Sequence, residues 1–351
     1  MAGKRKKVFV ALSGGVDSFV AGGLLLERGF DCEGMFMITC DNSQGTQAEA
    51  EEAAGRLGIK LHIVDLRKDF GRVIEYFCNE YKRGRTPNPC VFCNRYMKFG
   101  RLWDFARANG ADLLATGHYA RVQQAESDVG LYEGVDEGKE QSYALAMIDK
   151  DIFPYIILPL GDYFKDQTRE MAARFGLKSE GRKESQEICF IPNDDYVSVL
   201  ERMCPGLARK GNILDSQGKV LGEHMGVHRF TIGQRRGAGV AMGKPYYVVN
   251  IDAESNTVTL GPKEEVVHSK LAVRGVNWLV SEPASAFRAQ VKIRYNDRGA
   301  SGTVIPAKDG VLVEFDAPMS SITPGQLAVF YVRQGDKNRV VGSGWIESAG
   351  D

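Results

Sequence analysis

Across 351 residues no apolar run reaches the ~18 residues that a membrane-spanning helix needs. Nor is there an excess of charge: 45 Lys and Arg balance 45 Asp and Glu, so bulk electrostatics announce no nucleic-acid partner. Nor is an export signal expected. The start Met1-Ala2-Gly3-Lys4-Arg5-Lys6-Lys7 is basic, but the apolar stretch behind it, residues 8–12, is short for a signal segment and stops at Ser13-Gly14-Gly15. The expected location is the cytoplasm, with no membrane partner. Seven cysteines are an odd count for a chain without export, which argues against a disulfide scaffold. Cys32, Cys78 and Cys204 read as small buried hydrophobes. There is no internal repeat and no long low-complexity tract.

What is present is a patterned chain long enough for two or three domains. Residues 7–12 (KVFVAL) read as a buried strand, and residues 16–28 as a helix closed by Gly29. A strand over 32–39, a helix over 47–57 stopped by Gly58, a strand over 60–65, a helix over 99–109 and a strand over 112–116 follow. Strands alternating with helices predict a parallel sheet covered on both faces, with ligands beyond the carboxyl ends of its strands. After about residue 200 the pattern changes. Residues 211–247 are glycine-rich and basic; from residue 270 short strands recur at 270–278, 287–295, 302–306, 310–315, 326–332 and 340–346. That spacing predicts a small antiparallel barrel. The expected division is a catalytic domain over 1–200, a small mixed, basic domain over 201–266 and a barrel over 267–351.

Charge is local where it is not global. Residues 82–101 hold six Lys or Arg and no Asp or Glu, and residues 201–244 hold eight against three. Such segments contact phosphates in nucleic-acid binders, although a solvated loop face has the same composition.

Two segments carry chemistry. Ser13-Gly14-Gly15-Val16-Asp17-Ser18 follows the first strand and opens a helix, where successive N–H groups make an anion nest. Two serines add hydroxyls, and Asp17 makes sense beside phosphates if Mg²⁺ sits between them. The segment is neither the G-x-x-x-x-G-K-[ST] loop nor the G-x-G-x-x-G fingerprint; it resembles the pyrophosphate loop of the N-type ATP pyrophosphatase superfamily, whose members adenylate a substrate oxygen. The second segment, Arg85-Thr86-Pro87-Asn88-Pro89-Cys90-Val91-Phe92-Cys93-Asn94, has two prolines and reads as an extended loop. Downstream, Glu184-Ser185-Gln186-Glu187-Ile188-Cys189-Phe190-Ile191 adds a third cysteine. Cys90 and Cys93 alone are open to a redox pair, a metal half-site or coincidence.

With Lys98-Phe99, Ala115-Thr116-Gly117-His118-Tyr119-Ala120, Lys139-Glu140-Gln141-Ser142-Tyr143, the stretch from His228 through Arg229, Phe230, Thr231, Ile232, Gly233, Gln234, Arg235 and Arg236 to Gly237, and Arg294-Tyr295, these segments are similar to the tRNA-specific 2-thiouridylases. The similarity runs in order from residue 8 to about residue 345. It implies an adenine nucleotide alpha hydrolase-like domain that binds ATP through Ala11, Leu12, Ser13, Gly14, Gly15, Val16, Asp17, Ser18, Met37 and Gly117. It implies a target base surrounded by Asn88, Pro89 and Cys90, catalysis by Cys93 and Cys189, and tRNA contacts at His118, Lys139, Glu140, Gln141, Arg294, Tyr295 and Gln326. The implied reaction uses ATP with Mg²⁺ to activate the C2 carbonyl of a wobble uridine and replaces the oxygen by sulfur. The implied partners are tRNA with a wobble uridine and a sulfur donor, either a persulfide carrier protein or sulfide; the expected form is a monomer.

The chemistry is coherent. A carbonyl oxygen leaves poorly, and adenylation turns it into AMP, which leaves well. Arg85, Arg95 and Lys98 are expected to favour a thiolate. With a persulfide donor, one cysteine carries the sulfur and the other resolves it as a disulfide. The uridine must leave its stack, and Phe92 or Tyr119 could cover it, although core packing is the commoner role. One residue departs from many members of the family, which have Asp where this chain has Cys90. Cys90, Cys93 and Cys189 are then enough to hold a [4Fe–4S] cluster with one open iron.

The remaining residues divide less sharply. His62 belongs to the core or the sheet edge; Tyr246, Tyr247 and Trp278 read as core; His224 and His268 suggest no chemistry. The His228–Gly237 stretch is open between RNA contact and a structural turn. Two other functions share parts of the pattern. A small-molecule ATP-dependent synthetase would use the Ser13–Ser18 loop without needing the cysteines, and an RNA-binding iron–sulfur protein would use the cysteines without needing Asp17.

Overall fold

The computed structural model describes residues 5–40, 44–125, 128–177, 188–191, 195–237, 239–240 and 245–351. The chain divides into two compact units. The first takes residues 1–72, 90–186 and 333–341, and the second residues 73–89, 187–332 and 342–351.

In the first unit, β1 (Lys7–Ala11), α1 (Val16–Glu27), β2 (Asp31–Ile38), α2 (Gln44–Leu57) and β3 (Leu61–Asp65) alternate as expected. α3 (Arg67–Lys82) begins here and passes into the second unit at Val73. There follow α4 (Pro89–Cys93), a π-helix (Asn94–Leu102) and α5 (Trp103–Ala108). Next come β4 (Leu113–Ala115), the hairpin β5 (Ala120–Gln124) and β6 (Val129–Glu133), α6 (Ser142–Leu145), β7 (Ile156–Ile157) and α7 (Lys165–Arg174). The sheet is parallel with order β3-β2-β1-β4-β7.

Residues of β1 alternate between the two faces. Val8 and Val10 join a cluster with Leu25 of α1 and Ala50 and Ala54 of α2. Phe9 meets the His62 ring at 5.2 Å, and that ring meets Phe105 of α5 at 5.6 Å. Both faces are therefore covered, and Val8, Phe9 and Val10 are fully buried. The strand order switches direction between β1 and β4, the position beyond whose carboxyl ends ligands bind in open parallel sheets.

The second unit contains the rest of α3, α8 (Tyr196–Met203), and a four-stranded sheet of β8 (Gly211–Asp215), β9 (Val220–His224), β10 (Tyr247–Asp252) and β11 (Thr257–Gly261) in the order β10-β11-β8-β9. Its barrel is built from β12 (Val267–Trp278), β13 (Phe287–Lys292), β14 (Ala300–Ala307), β15 (Gly310–Ser320), β16 (Leu327–Gln334) and β17 (Lys337–Gly350). The order β12-β15-β14-β13-β16-β17 closes through β12–β17 pairing, so every barrel strand has two neighbours. These strands fall where the short-strand pattern places them.

Two expectations need correcting. Cys78 and Cys204 are not independent buried hydrophobes: they form a disulfide between α3 and the end of α8, with Cα atoms 6.0 Å apart. Phe77, Tyr81, Val199 and Leu200 bury it. The segment at Cys90 is not extended throughout. Pro89 is the first residue of α4, where its missing N–H costs nothing and its fixed φ suits the helix, so Cys90 and Cys93 lie on one helical turn. Residues 184–187, ahead of Cys189, lie outside the described residues, as do residues 1–4 at the basic start.

Candidate active site

The loop after β1 is shaped by Gly14, whose φ of +82° favours glycine. A Cβ there would also come within 2.7 Å of Glu49 on α2. Ser13 and Ser18 close the loop on itself: the Ser13 N–H donates to the Ser18 hydroxyl at 3.2 Å, and that hydroxyl donates to the Gly15 carbonyl at 3.0 Å. α1 starts at Val16 with no side-chain cap, so its first N–H groups are left for an anion. Gly117, just past β4, packs on the same turn, and a Cβ on it would lie 2.7 Å from both the Asp17 carbonyl carbon and the Ser18 nitrogen. Ala11 and the half-buried Met37, near the carboxyl ends of β1 and β2, complete the expected ATP set.

Asp17 has partners that local sequence patterns do not announce. Lys165, the first residue of α7, donates from Nζ to both carboxylate oxygens, at 2.7 and 2.8 Å. The Tyr119 hydroxyl donates to Oδ1 at 2.8 Å. Burial, and next the Asp17 charge, push the Tyr119 phenol far above its ordinary range, so it remains a donor. Tyr119 is 3% exposed and committed to this network, which removes it as a platform for a base. Lys165 lies 148 residues from Asp17, and no local sequence pattern marks its role.

The cysteine helix differs from expectation in its electrostatics. Cys90 is exposed at its surface and Cys93 is buried. Burial raises the Cys93 thiol above the ordinary cysteine value; Lys98 opposes this, and Cys90 adds to the rise. Of the three cations expected to favour a thiolate, Lys98 is the one that acts on it. Arg95 is held by Asp149 at 2.8 Å, and Arg85 by Glu347 at 2.6 Å. The π-helix carrying Lys98 is anchored by Asn94, which is 2% exposed and donates to the Ala144 carbonyl of α6 at 2.9 Å. π-turns of this kind often occur at functional sites.

His118 is buried beside this helix, its ring 6.1 Å from Phe99 and its Nδ1 2.7 Å from the Thr116 hydroxyl. Burial, and then Lys98, drive its pKa well below the ordinary histidine value, so it is neutral at neutral pH. Gly117 and His118 thus face two ways: one packs on the phosphate loop, the other on the π-helix that carries Lys98 and Phe99. In the segment 139–141, Glu140 accepts the Ser142 N–H, and Gln141 accepts the Tyr119 N–H at 2.9 Å while donating its own N–H to the Tyr119 carbonyl at 2.8 Å.

The second unit holds Asn88, Pro89, Cys189, Arg294, Tyr295 and Gln326. Cys189 is exposed, with Ile191 and Phe190 packed into the α3–α8 cluster on its far side in sequence. Arg294 donates to the Ser321 carbonyl at 2.5 Å and the Thr323 hydroxyl at 3.0 Å, while Tyr295 is 41% exposed. Gln326 spends its amide N–H groups on the Thr86 carbonyl at 2.8 Å and the Pro87 carbonyl at 3.3 Å. His228 is fully buried and bonded to Glu201 at 3.0 Å, which makes it part of a structural turn; Arg229 shares that carboxylate.

The family described as the tRNA methyl transferase HUP domain matches residues 6–193, the tRNA methyl transferase PRC-barrel domain residues 198–262, and the aminomethyltransferase beta-barrel domain residues 268–346. The tRNA-specific 2-thiouridylase MnmA of Syntrophotalea carbinolica is 44% identical to this chain over 355 residues, covering 99% of this chain and 100% of that one. The protein of the same name from Carboxydothermus hydrogenoformans is 44% identical over 361 residues, 98% of each chain. Among solved structures, the U34-tRNA thiolase NcsA from Methanococcus maripaludis with its [4Fe-4S] cluster is similar at a TM-score of 0.36 and 18% identity, covering 58% of this chain and 67% of that one.

Proposed function

The chain belongs to the tRNA-specific 2-thiouridylase family, and on that premise we propose that it is an ATP-dependent thiolase acting on the wobble uridine of tRNA. The observation that carries this reading is the pair Gly117 and His118. Adjacent in sequence, they put the phosphate loop and the π-helix that directly follows Cys93 on opposite sides of one short turn. Nucleotide activation and sulfur delivery need that proximity, since the adenylated base must meet sulfur before water does.

In this reading the loop from Ala11 to Ser18, with Met37 and Gly117, holds ATP. Asp17 would hold Mg²⁺, which supplies charge neutralisation between carboxylate and phosphates. The uridine O2 attacks the α-phosphorus, pyrophosphate leaves, and C2 carries an AMP leaving group. Sulfur then bonds to C2 as AMP departs. In the persulfide route Cys93 and Cys189 share the work: one holds the terminal sulfur, and the thiolate of the other attacks the carrier sulfur, closing a disulfide and freeing the thiolated base. Asn88, Pro89 and Cys90 surround the base, and Lys139, Glu140, Gln141, Arg294 and Tyr295 meet the RNA. His118 is buried and Gln326 braces the Thr86–Pro87 backbone, so each would act on the RNA indirectly.

The placement of Cys90 and Cys93 one helical turn apart favours a second reading, with both sulfurs and Cys189 as ligands of a [4Fe–4S] cluster. Such a cluster would supply an open iron for hydrosulfide. Among the described residues no group of three or more His, Cys, Asp or Glu stands ready for a metal. Anaerobic purification separates the routes: about four irons per chain with broad absorption near ~400 nm supports the cluster, and an iron-free protein that thiolates tRNA from a persulfide donor removes it.

ATP–pyrophosphate exchange tests the activation step. Exchange that requires tRNA is the expected result. Exchange without tRNA would point to a small-molecule synthetase, and thiolation that survives Asp17→Ala would point to an RNA-binding sulfur carrier.

A further inference from the structure

Two separate paths lead from the Asp17 carboxylate to one short segment. Along the first, the Tyr119 hydroxyl donates to Asp17 Oδ1 at 2.8 Å, while the Tyr119 backbone is clamped on both sides by Gln141, whose Oε1 accepts its N–H at 2.9 Å and whose N–H reaches its carbonyl at 2.8 Å. Along the second, Lys165 Nζ holds both Asp17 oxygens, and the Lys165 N–H donates to Asp136 Oδ2 at 2.8 Å. Asp136 in turn fixes its own turn, accepting the Gly138 N–H at 3.0 Å on its other oxygen and the Lys139 N–H at 3.0 Å on its carbonyl. Both paths end within residues 136–141.

The network is built to transmit position. Tyr119 is buried in a cluster with Phe19, Val20 and Leu160, so its ring cannot shift without disturbing the core beneath α1. Lys165 is 11% exposed at its side chain, and Asp17 is 34% exposed, so the carboxylate is open to the nucleotide while its partners are covered. A ligand that orders Asp17 also fixes the positions of its partners Lys165 and Tyr119. A ligand that orders residues 136–141 sets the Tyr119 backbone and the start of α7.

We propose that Tyr119 and Lys165 are positioning residues that couple the nucleotide loop to the segment 136–141, so that ATP and tRNA each bind more tightly in the presence of the other. This rests on the reading of that segment as a tRNA contact. Reciprocity requires that tRNA change ATP affinity by the same factor as ATP changes tRNA affinity.

The test measures dissociation constants for the magnesium complex of a non-hydrolysable ATP analogue, with and without unthiolated tRNA bearing a wobble uridine, on the full chain. The wild-type ratio is expected to be on the order of 10-fold, within the usual range of coupling between sites. Tyr119→Phe keeps the ring and removes the hydroxyl that bonds Asp17; its ratio is expected to fall toward one, with tRNA affinity in the absence of nucleotide unchanged. Lys165→Met is expected to do the same, with Lys165→Arg restoring part of the ratio. A wild-type ratio of one overturns the proposal, as does a Tyr119→Phe ratio equal to that of wild type. A variant that weakens nucleotide binding equally with and without tRNA gives Tyr119 a purely local role and also overturns it. Sulfur incorporation by the same wild-type preparation tests the functional reading separately, because coupling can be absent while thiolation is intact.

Discussion

Cys93 is held back rather than primed. Burial keeps its thiol above the ordinary range, with Lys98 as the opposing charge. His118, buried beside Phe99 of the π-helix, stays neutral because burial, and then Lys98, disfavour its charged form. This has a consequence for stability. The unfolded histidine takes up a proton around 6.5, whereas the folded one resists, so below that pH the unfolded state binds more protons and stability falls as pH drops. His224 shifts in the same direction and adds to the slope. Urea unfolding between pH 7.5 and 5 (on the order of one proton bound per shifted histidine) is expected to show a shallower decline in His118→Gln than in wild type; equal slopes would remove His118 from the account. The phosphate loop was legible in the sequence because its glycines, serines and aspartate are consecutive. Lys165 was not, because nothing local marks a lysine that pairs 148 residues away.

At the level of elements, the glycine after β4 and the disulfide under α3 do different work. Gly117 lets two backbones meet, and Gly117→Ala would drive a Cβ to 2.7 Å from the start of α1. The expected result is a loss of ATP affinity of at least about 10-fold, roughly the 1.4 kcal/mol equivalent, with the circular dichroism spectrum retained. The Cys78–Cys204 bond closes a span of 126 residues. Thiol titration of the denatured, unreduced protein is expected to find five free thiols of seven, and all seven after reduction. Serine at both positions is expected to lower stability by about 2–4 kcal/mol. Neither feature could be read from spacing, since cysteine pairing depends on which helices meet. α3 itself was legible and overlooked: Phe70, Val73, Phe77 and Tyr81 recur at helical spacing and are all buried. The helix at Cys90 was hidden by Pro89, a residue that breaks a helix interior but starts a helix well.

At the level of the whole molecule, the barrel was the easiest part to foresee, because each strand alternates and is bounded by turn residues. Its contribution to the site was harder. Gln326 resembles an RNA-contacting position, yet its amide holds the Thr86 and Pro87 carbonyls. Gln326→Leu leaves those acceptors without it and is expected to lower stability by about 1 kcal/mol, with tRNA affinity falling in step. A drop in tRNA affinity at unchanged stability would make the contact direct instead. The central claim is ATP-driven replacement of the wobble uridine oxygen by sulfur. Its most direct measurement is mass spectrometry of nucleosides from tRNA incubated with the protein, Mg-ATP and either sulfide or a persulfide donor. The account expects 2-thiouridine at the wobble position, formed with AMP and lost in Cys93→Ser and in Cys189→Ser. Unmodified uridine with both donors, or 2-thiouridine that forms without ATP, would contradict it.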